Sequence, residues 1–217
     1  MPQSAKGQRR IGAPDAKNRT LLLDAAEELL LTAGAGAVSS RRVAERAGLK
    51  HQLVHYYFRT MDDLFLAMFR RRGDQGLVEQ AAALASPQPL WALWRFNTDP
   101  AWTAVTMQFI TVANEREALR AEIANYAERL RAEQIAAVSG LFVRYGVDDA
   151  EFPPTVLMVL MASASRMLII EQEALGMTLG HAETVEFVEL WLQRIEGDPP
   201  PCAPLASVAP AAGPVDH

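Results

Sequence analysis

Apolar residues recur at three- and four-residue steps along almost all of residues 18–196. Such spacing gathers them on one face of an α-helix, whereas a half-buried strand alternates apolar and polar residues at every second position. The first segment shows the helical step at Leu22, Ala26 and Leu29, and strand-like alternation is absent from the sequence. The sequence therefore predicts an all-α protein.

The first third of the chain is divided into short helices. Gly48 separates two of them, because glycine adopts the positive φ of a tight turn without steric cost. Ser39 is a suitable N-cap for the second helix, and Thr60 followed by Asp63 predicts a capping box at the start of the fourth. The predicted spans of the second, third and fourth helices are residues 40–47, 51–57 and 61 to about 84.

Charge is unevenly distributed along the 217 residues. Residues 1–72 carry 13 Lys and Arg against 7 Asp and Glu, whereas residues 73–217 carry 8 against 19. A small basic module followed by a larger acidic one indicates that the first part contacts a polyanion and the second does not.

The short helices match a helix-turn-helix arrangement, which holds the third helix out to enter a DNA major groove. Val43, Ala44 and Val54 are small or apolar residues that would let the second and third helices cross closely. The residues left to face a partner are Lys50, His51, Gln52, Leu53 and His55.

Side chains around this turn also suit base edges. Arg41 can form two hydrogen bonds to guanine, Gln52 can do the same with adenine, and Leu53 can contact a thymine methyl group. The sequence therefore predicts DNA as the polyanion.

The same stretch resembles the DNA-binding domain of the TetR family of transcriptional regulators. The matching residues are LLLDAAEELLLTAG, SSRRVAERAGL and QLVHYYFRTMDDLFLAMF, which occur together at the family's spacing between residues 20 and 70. The resemblance implies that Ser40 and Tyr56 contact phosphates and that Tyr57 lies close to the DNA backbone. It also implies that the residues nearest to base edges are Arg41, Lys50, His51, Gln52 and His55. Met61 departs from the lysine that members often have there, which leaves that phosphate contact to Arg59 or the N-terminal arm.

His51 and His55 offer an alternative, a zinc site. Their four-residue spacing places both imidazoles on one face of a helix, as in a zinc-ligand pair. However, no acidic residue lies between them, and the next histidine, His181, is distant in the sequence. Because zinc requires three or four ligands, the pair is interpreted as DNA-facing, and neither a metal nor a cofactor is expected.

The second domain, residues 73–196, is predicted to bind a small molecule and to dimerise. Its aromatic and methionine side chains suit an apolar cavity, although the same residue types also build an ordinary core. The predicted ligand-binding residues are Trp91, Trp94, Trp102, Met107, Phe109, Tyr126 and Arg166. For Arg166 the structural alternative is an ion pair with Glu171 or Glu173.

The run TVLMVLMASASRMLII, residues 155–170, is apolar nearly all round, so neighbours must cover every face of its helix. It is shorter than the ~18 to 20 residues of a membrane span and contains Arg166, which predicts a buried helix. A partner subunit can supply part of the cover. The resemblance implies a four-helix dimer interface here, with Leu160 and Leu190 as the predicted dimerisation residues.

Both ends are predicted to be disordered. Residues 1–17 form a basic arm, favoured for phosphate contact, that lacks the apolar core of a secretory signal. Residues 197–217 hold 6 prolines in 21 residues and the single cysteine, Cys202, so neither a disulfide nor a thiolate metal site is expected within one chain. These features predict a cytoplasmic protein. The DNA-binding domain is then expected to span residues 18–72.

Together these features predict an N-terminal three-helix helix-turn-helix domain followed by a C-terminal helical ligand-binding and dimerisation domain. The predicted function is a homodimeric transcriptional regulator that binds a two-fold symmetric operator. A repressor released by a mostly hydrophobic small molecule is favoured, with a carboxylate near Arg166 as an option. The alternatives are a constitutive DNA-binding protein without an effector and an α-helical enzyme. Against the enzyme, the sequence lacks a Ser/His/Asp grouping, a phosphate-binding loop, a dinucleotide fingerprint and a metal cluster.

Overall fold

The computed structural model describes residues 13–150 and 153–200, which form α-helices joined by short connections. Strands are absent from these described ranges, and the prediction of an all-α protein is confirmed. The helices are α1 (Ala13–Ala33), α2 (Ser40–Arg46), α3 (Gln52–Tyr57), α4 (Met61–Leu84), α5 (Pro89–Asn97), α6 (Pro100–Ala113), α7 (Glu117–Tyr145), α8 (Pro154–Ile170) and α9 (His181–Glu196). A 3₁₀ turn, Ala35–Ala37, follows α1, and a π-helical turn, Glu171–Leu175, follows α8.

The capping signals read from the sequence are present. The Thr60 backbone N–H donates to Asp63 Oδ2 at 3.1 Å, and the Asp63 N–H donates to Thr60 Oγ1 at 3.0 Å, which forms the capping box of α4. Ser39 Oγ accepts the backbone N–H of Arg42 at 3.4 Å as the N-cap of α2. Because caps depend on residues three positions apart, local sequence was sufficient to predict them.

The helices group into two compact units, neither of which is continuous in sequence. The first unit comprises the described residues through Asp74 together with Ala104–Asn125. The second unit comprises Gln75–Thr103 and the described residues from Tyr126 onward. Consequently α4, α6 and α7 each contribute to both units, and the structure differs from the predicted division at residue 72.

Ion pairs explain why residues 104–125 belong with the first unit. Arg116 Nε donates to Asp62 Oδ1 at 2.8 Å, and Arg70 donates two hydrogen bonds to the Glu122 carboxylate at 2.9 and 2.7 Å. These partners are 54 and 52 residues apart in the chain. Helical periodicity reports only neighbours within a few turns, so it could not reveal these pairs.

Each unit has its own buried core. In the first unit Phe69 and Phe109 meet edge to face, with ring centroids 5.3 Å apart. The other buried side chains there include Leu22, Leu30, Val43, Val54, Leu64, Phe65, Met68 and Leu119. In the second unit the core consists of Leu90, Trp91, Leu93, Trp94, Val138, Leu141, Phe142, Met158, Met161 and Leu192.

Parts of both predicted disordered ends are structured. α1 begins at Ala13, so residues 13–17 are helical instead of belonging to a disordered arm. At the other end, Trp91 Nε1 donates to the Gly197 carbonyl at 3.0 Å, and Gln88 Nε2 donates to the Asp198 carbonyl at 2.7 Å. These hydrogen bonds hold the start of the predicted tail against α5. The remaining predicted disorder, residues 1–12 and 201–217, lies outside the described residues.

Candidate functional site

α2 and α3 form a tight pair around Gly48. Gly48 has a φ of 65°, and the Leu49 N–H donates to the Ala44 carbonyl at 2.9 Å across the turn. Val43 and Ala44 on α2 and Val54 on α3 are buried, so the two helices cross with small side chains between them. The predicted helix-turn-helix arrangement is therefore present.

The predicted DNA-binding residues all lie at the surface of this pair. The exposed ones are Arg41, Lys50, His51, Gln52, His55 and Tyr56, and the half-buried ones are Ser40, Leu53 and Tyr57. Tyr56 is 58% exposed and meets Tyr57 edge to face, with ring centroids 5.0 Å apart. Tyr57 therefore packs against neighbouring rings, whereas Tyr56 is directed mainly to solvent.

Several cations on this surface have no acidic partner. Arg41, Arg42, Lys50 and Arg59 are exposed, and none forms an ion pair with another described residue. An unpaired guanidinium or ammonium group is available to a phosphate or a base edge. The surface around α3 is therefore suited to a polyanion.

Other arginines of the first unit hold the helices in place. Arg71 on α4 donates to Asp24 and Glu27 on α1 at 2.6 and 2.5 Å. Burial acts to lower the pKa of Arg71, but its hydrogen bonds to Glu27 and Asp24 outweigh burial and raise the pKa. Arg19 places its guanidinium over the Phe58 ring, 5.3 Å from the centroid. These contacts fix α1 and α4 around the helix-turn-helix.

The histidine pair lies in a different setting from the one predicted. α3 begins at Gln52, one residue later than expected, so Lys50 and His51 lie in the turn that precedes it. His51 and His55 are both exposed. Within residues 13–150 and 153–200, no three His, Cys, Asp or Glu side chains are grouped closely enough to hold a metal ion.

The seven predicted ligand-binding residues are not brought together. Trp91 and Trp94 are buried in the core of the second unit. Phe109 packs on Phe69 in the first unit, which also contains the half-buried Met107. Composition alone could not separate these core residues from a ligand site, because both use the same side chains.

Trp102 and Tyr126 do meet, and Phe96 joins them. The ring centroids of Trp102 and Tyr126 are 6.3 Å apart, and those of Phe96 and Trp102 are 6.1 Å apart. We call Phe96, Trp102 and Tyr126 the aromatic group. It lies against Gly76 of α4, where a Cβ atom would approach Trp102 Cη2 to 2.5 Å and would also overlap the Tyr126 hydroxyl. Glycine at this position therefore allows the aromatic group to approach α4.

Two buried glutamines beside this group were missed from the sequence. Gln80 on α4 and Gln134 on α7 are 0% and 2% exposed. Along α4, Gln80 lies four residues from Gly76 on one side and from Leu84 on the other. Along α7, Gln134 lies four residues from Leu130 and from Val138 in the same way. A polar residue that occupies an apolar position of a helical stripe is the signal that could have identified them.

Arg166 is exposed on α8 and forms no ion pair with a described residue. Its predicted partner Glu171 instead forms a hydrogen bond with the buried His181, at an Nε2 to Oε2 distance of 2.9 Å. Because the Arg166 side chain faces solvent, it forms neither the predicted ion pair with Glu171 or Glu173 nor a common site with the aromatic group.

α8 was predicted to be buried, but its own chain leaves one face open. Leu160 is 60% exposed, and Leu190 on α9 is 47% exposed. We call the exposed residues Val156, Val159, Leu160, Met167, Phe187 and Leu190 the apolar face. A groove of about 420 Å³ runs along it, lined in part by Leu157, Leu160, Phe187 and Trp191.

α8 was predicted to be too short for a membrane span, but together with the π-helical turn that continues it, it is long and apolar enough to cross a membrane when judged by length and composition. The segment is Pro154–Leu175, with 22 residues, and it is the one such helix among the described residues. A single helix of this kind is a weak indication, because an apolar helix covered by another protein chain meets the same criterion.

Comparison with known proteins agrees with the helix-turn-helix arrangement of α2 and α3. The family model for bacterial regulatory proteins of the tetR family matches residues 22–68. The HTH-type transcriptional regulator BetI of Rhizobium meliloti (strain 1021) is 30% identical over 142 residues, which cover 61% of this chain and 68% of BetI.

Solved structures share the fold at lower sequence identity. A TetR transcription regulator from Haloarcula marismortui has a TM-score of 0.67 at 15% identity, covering 83% of this chain and 98% of that one. A transcriptional regulator from Saccharomonospora viridis in complex with choline has a TM-score of 0.66 at 16% identity, covering 82% and 96%. With the matched helix-turn-helix and the BetI relative, the conclusion is that the chain belongs to the TetR family of transcriptional regulators, which bind DNA and are not enzymes.

Proposed function

We propose that this chain is a homodimeric repressor that binds a two-fold symmetric operator and leaves it when a small molecule binds the second unit. The observation that carries the proposal is the surface around α3. Arg41, Lys50, Gln52 and His55 are exposed there, and the two cations have no ion-pair partner among the described residues. Arginine and glutamine suit guanine and adenine, and the cations suit phosphates.

The apolar face supports the dimer. A contiguous patch of exposed apolar side chains marks an interaction surface, and a second copy of the same chain that covers it gives a two-fold arrangement. A two-fold dimer presents two copies of α3, which explains a two-fold symmetric operator. Covering the face with a second copy also accounts for the apolar α8 without a membrane, in agreement with a cytoplasmic regulator.

The aromatic group supports the effector site. Aromatic faces attract apolar molecules and, through the ring quadrupole, quaternary ammonium ions. The similar regulator from Saccharomonospora viridis was solved in complex with choline. We therefore propose an effector with an apolar or quaternary ammonium part against Phe96, Trp102 and Tyr126. A carboxylate near Arg166 is not included, because that side chain is exposed on α8.

The energetic requirement on the effector is small. A ligand that favours the state unable to bind DNA by only about 1–3 kcal/mol lowers operator affinity roughly five- to 150-fold. Binding in the second unit therefore has to bias an existing equilibrium instead of dismantling the fold.

The proposal can be tested by footprinting the purified protein on DNA around the promoter of its own gene. We expect protection of a two-fold symmetric sequence. Choline, tetramethylammonium and a broad library of apolar molecules are then titrated while tryptophan fluorescence and operator release are followed together. Absence of any protected sequence would reject the DNA-binding half. Operator binding that no compound relieves, with unchanged fluorescence, would favour the constitutive DNA-binding protein.

A further inference from the structure

The buried glutamines Gln80 and Gln134 have polar atoms that the described protein does not satisfy. Gln80 Nε2 donates to the Leu130 carbonyl at 3.2 Å and lies 3.4 Å from Glu133 Oε2. Gln80 Oε1 and Gln134 Nε2 are buried and have no hydrogen-bond partner among the described residues. We call these two side chains the polar pair.

The polar pair lies next to the aromatic group. Gln80 contacts the carbonyl of Leu130, and Gln134 is one helical turn beyond Leu130 on α7. Gly76 and Tyr126, which are packed together, are one turn before Gln80 and Leu130 on the same two helices. One turn of helix advances about 5.4 Å, so the two sets of side chains lie about one turn apart along the same two helices.

Energetics favour a partner for these atoms. A buried donor or acceptor without a partner costs free energy, and native proteins leave few of them. An apolar residue of the same size would avoid this cost. Two unpaired glutamine atoms beside aromatic rings therefore point to a molecule that binds there and supplies the missing hydrogen bonds.

We propose that the polar pair binds the polar group of the effector and selects an uncharged group that both donates and accepts a hydrogen bond. This inference rests on the effector site proposed above. Gln134 Nε2 requires an acceptor and Gln80 Oε1 requires a donor. The Leu130 carbonyl can only accept, so its contact with Gln80 Nε2 fixes which end of the Gln80 amide is the oxygen. A hydroxyl or a primary amide satisfies both atoms, whereas a carboxylate supplies acceptors alone.

The first test needs no ligand. Leucine is close to glutamine in size, so Gln134→Leu removes the buried amide without leaving a large cavity. If the amide serves a ligand, the melting temperature of the free variant equals or exceeds that of the wild type. A clear fall in melting temperature would show that Gln134, alone or through a bound water, holds the fold together, and this would overturn the proposal.

The second test measures selectivity with three aromatic probes that differ in their polar group. Benzyl alcohol and benzamide carry a donor and an acceptor, whereas toluene carries neither. We expect the wild type to bind the first two about tenfold more tightly than toluene, as one net hydrogen bond would give. Gln134→Leu should show a smaller preference for the first two over toluene, because Gln80 Oε1 alone remains to form a hydrogen bond with the probe. Equal binding of the probes by the wild type, or no binding of any at millimolar concentration, would overturn the proposal.

Failure of this inference is distinguishable from failure of the proposed function. If another compound releases the operator from the wild type and Gln134→Leu alike, the repressor stands and the polar pair is not its selector. If the probes show the expected selectivity but no compound releases the operator, the site chemistry stands and the regulatory role fails. Operator binding by the free Gln134→Leu protein serves as the control that its first unit is intact.

Discussion

Gly76 is a position at which one methyl group has a large effect. The aromatic group occupies the space that a Cβ atom would take on α4, whereas Gly140 on α7 has nothing within 4 Å of the corresponding position. Of these two helical glycines in the same unit, Gly76 is closely packed and Gly140 is open to solvent. Replacing each with alanine therefore distinguishes the effect of a steric clash on stability from the effect of helix propensity.

We predict that Gly76→Ala destabilises the protein by about 1–3 kcal/mol, because the added carbon overlaps the Trp102 and Tyr126 side chains. Gly140→Ala should stabilise it by about 0.5–1 kcal/mol, because alanine favours a helix and meets no neighbour. Urea unfolding of both variants gives the comparison. A Gly76→Ala protein as stable as Gly140→Ala would contradict the packing described for the aromatic group.

Base reading is also a property of single side chains. We predict that Arg41→Ala weakens binding to the cognate operator by about 1–3 kcal/mol and reduces discrimination at the contacted base. Arg131→Ala, an exposed arginine on α7, is the matched control. Competition assays against operator and random DNA separate the two effects. Equal losses on both DNAs would show that Arg41 contacts only the backbone.

The exposed residues around α3 could be predicted because helical period and one glycine turn determine which side chains face outward. Trp102 and Tyr126 were among the predicted ligand-binding residues, but their grouping with each other and with Phe96 could not be predicted. Phe109 and Trp102 lie on the same helix and have similar chemistry, but Phe109 packs on Phe69 while Trp102 meets Tyr126. Which of them lines a site depends on neighbours far along the chain, and the sequence pattern does not contain that information.

The end of α9 holds the start of α5. The Glu196 carboxylate accepts the backbone N–H groups of Leu90 and Trp91, each at 3.0 Å, and the Tyr145 hydroxyl at 2.9 Å. Burial and the hydrogen bond to Glu196 raise the pKa of Tyr145. A carboxylate at a helix N-terminus satisfies donors that have no partner within the helix and interacts favourably with the helix dipole.

We predict that Glu196→Gln lowers the free energy of unfolding by about 1–3 kcal/mol, because hydrogen bonds to a charged group are replaced by weaker ones. Glu186→Gln, an exposed position on α9, should change it little. Denaturant unfolding at neutral pH compares the two variants. Similar stabilities for both would mean that α5 does not depend on this carboxylate.

The helices themselves were largely predictable, since breaks at glycine and proline and the caps at Ser39 and Thr60 are local signals. The hydrogen bonds from the start of α5 to Glu196 could not be predicted, because Leu90 lies 106 residues earlier in the chain. For the same reason, residues 197–200 were expected to be disordered. Their composition is rich in proline, but their backbone carbonyls accept hydrogen bonds from α5 and its N-cap.

The exposed apolar face bears on how two chains assemble. We predict that Leu160→Glu yields a monomer with much weaker operator binding, because a charge in a desolvated interface opposes association and one half-site supplies too little binding energy. Val143→Glu, at a position 86% exposed on α7 outside this face, is the control. Sedimentation velocity and operator binding are measured on both. A wild-type monomer at micromolar concentration would reject the dimer.

The ion pairs from α4 to residues 104–125 bear on how such regulators can be recombined. A chimaera made by joining residues 1–72 to a foreign sensor domain would carry Asp62 without Arg116, Arg70 without Glu122 and Phe69 without Phe109. Transplanting residues 1–72 as one uninterrupted segment would therefore lose these two ion pairs and the ring contact. An exchange that keeps them must either move residues 104–125 as well or choose a recipient that already supplies matching partners.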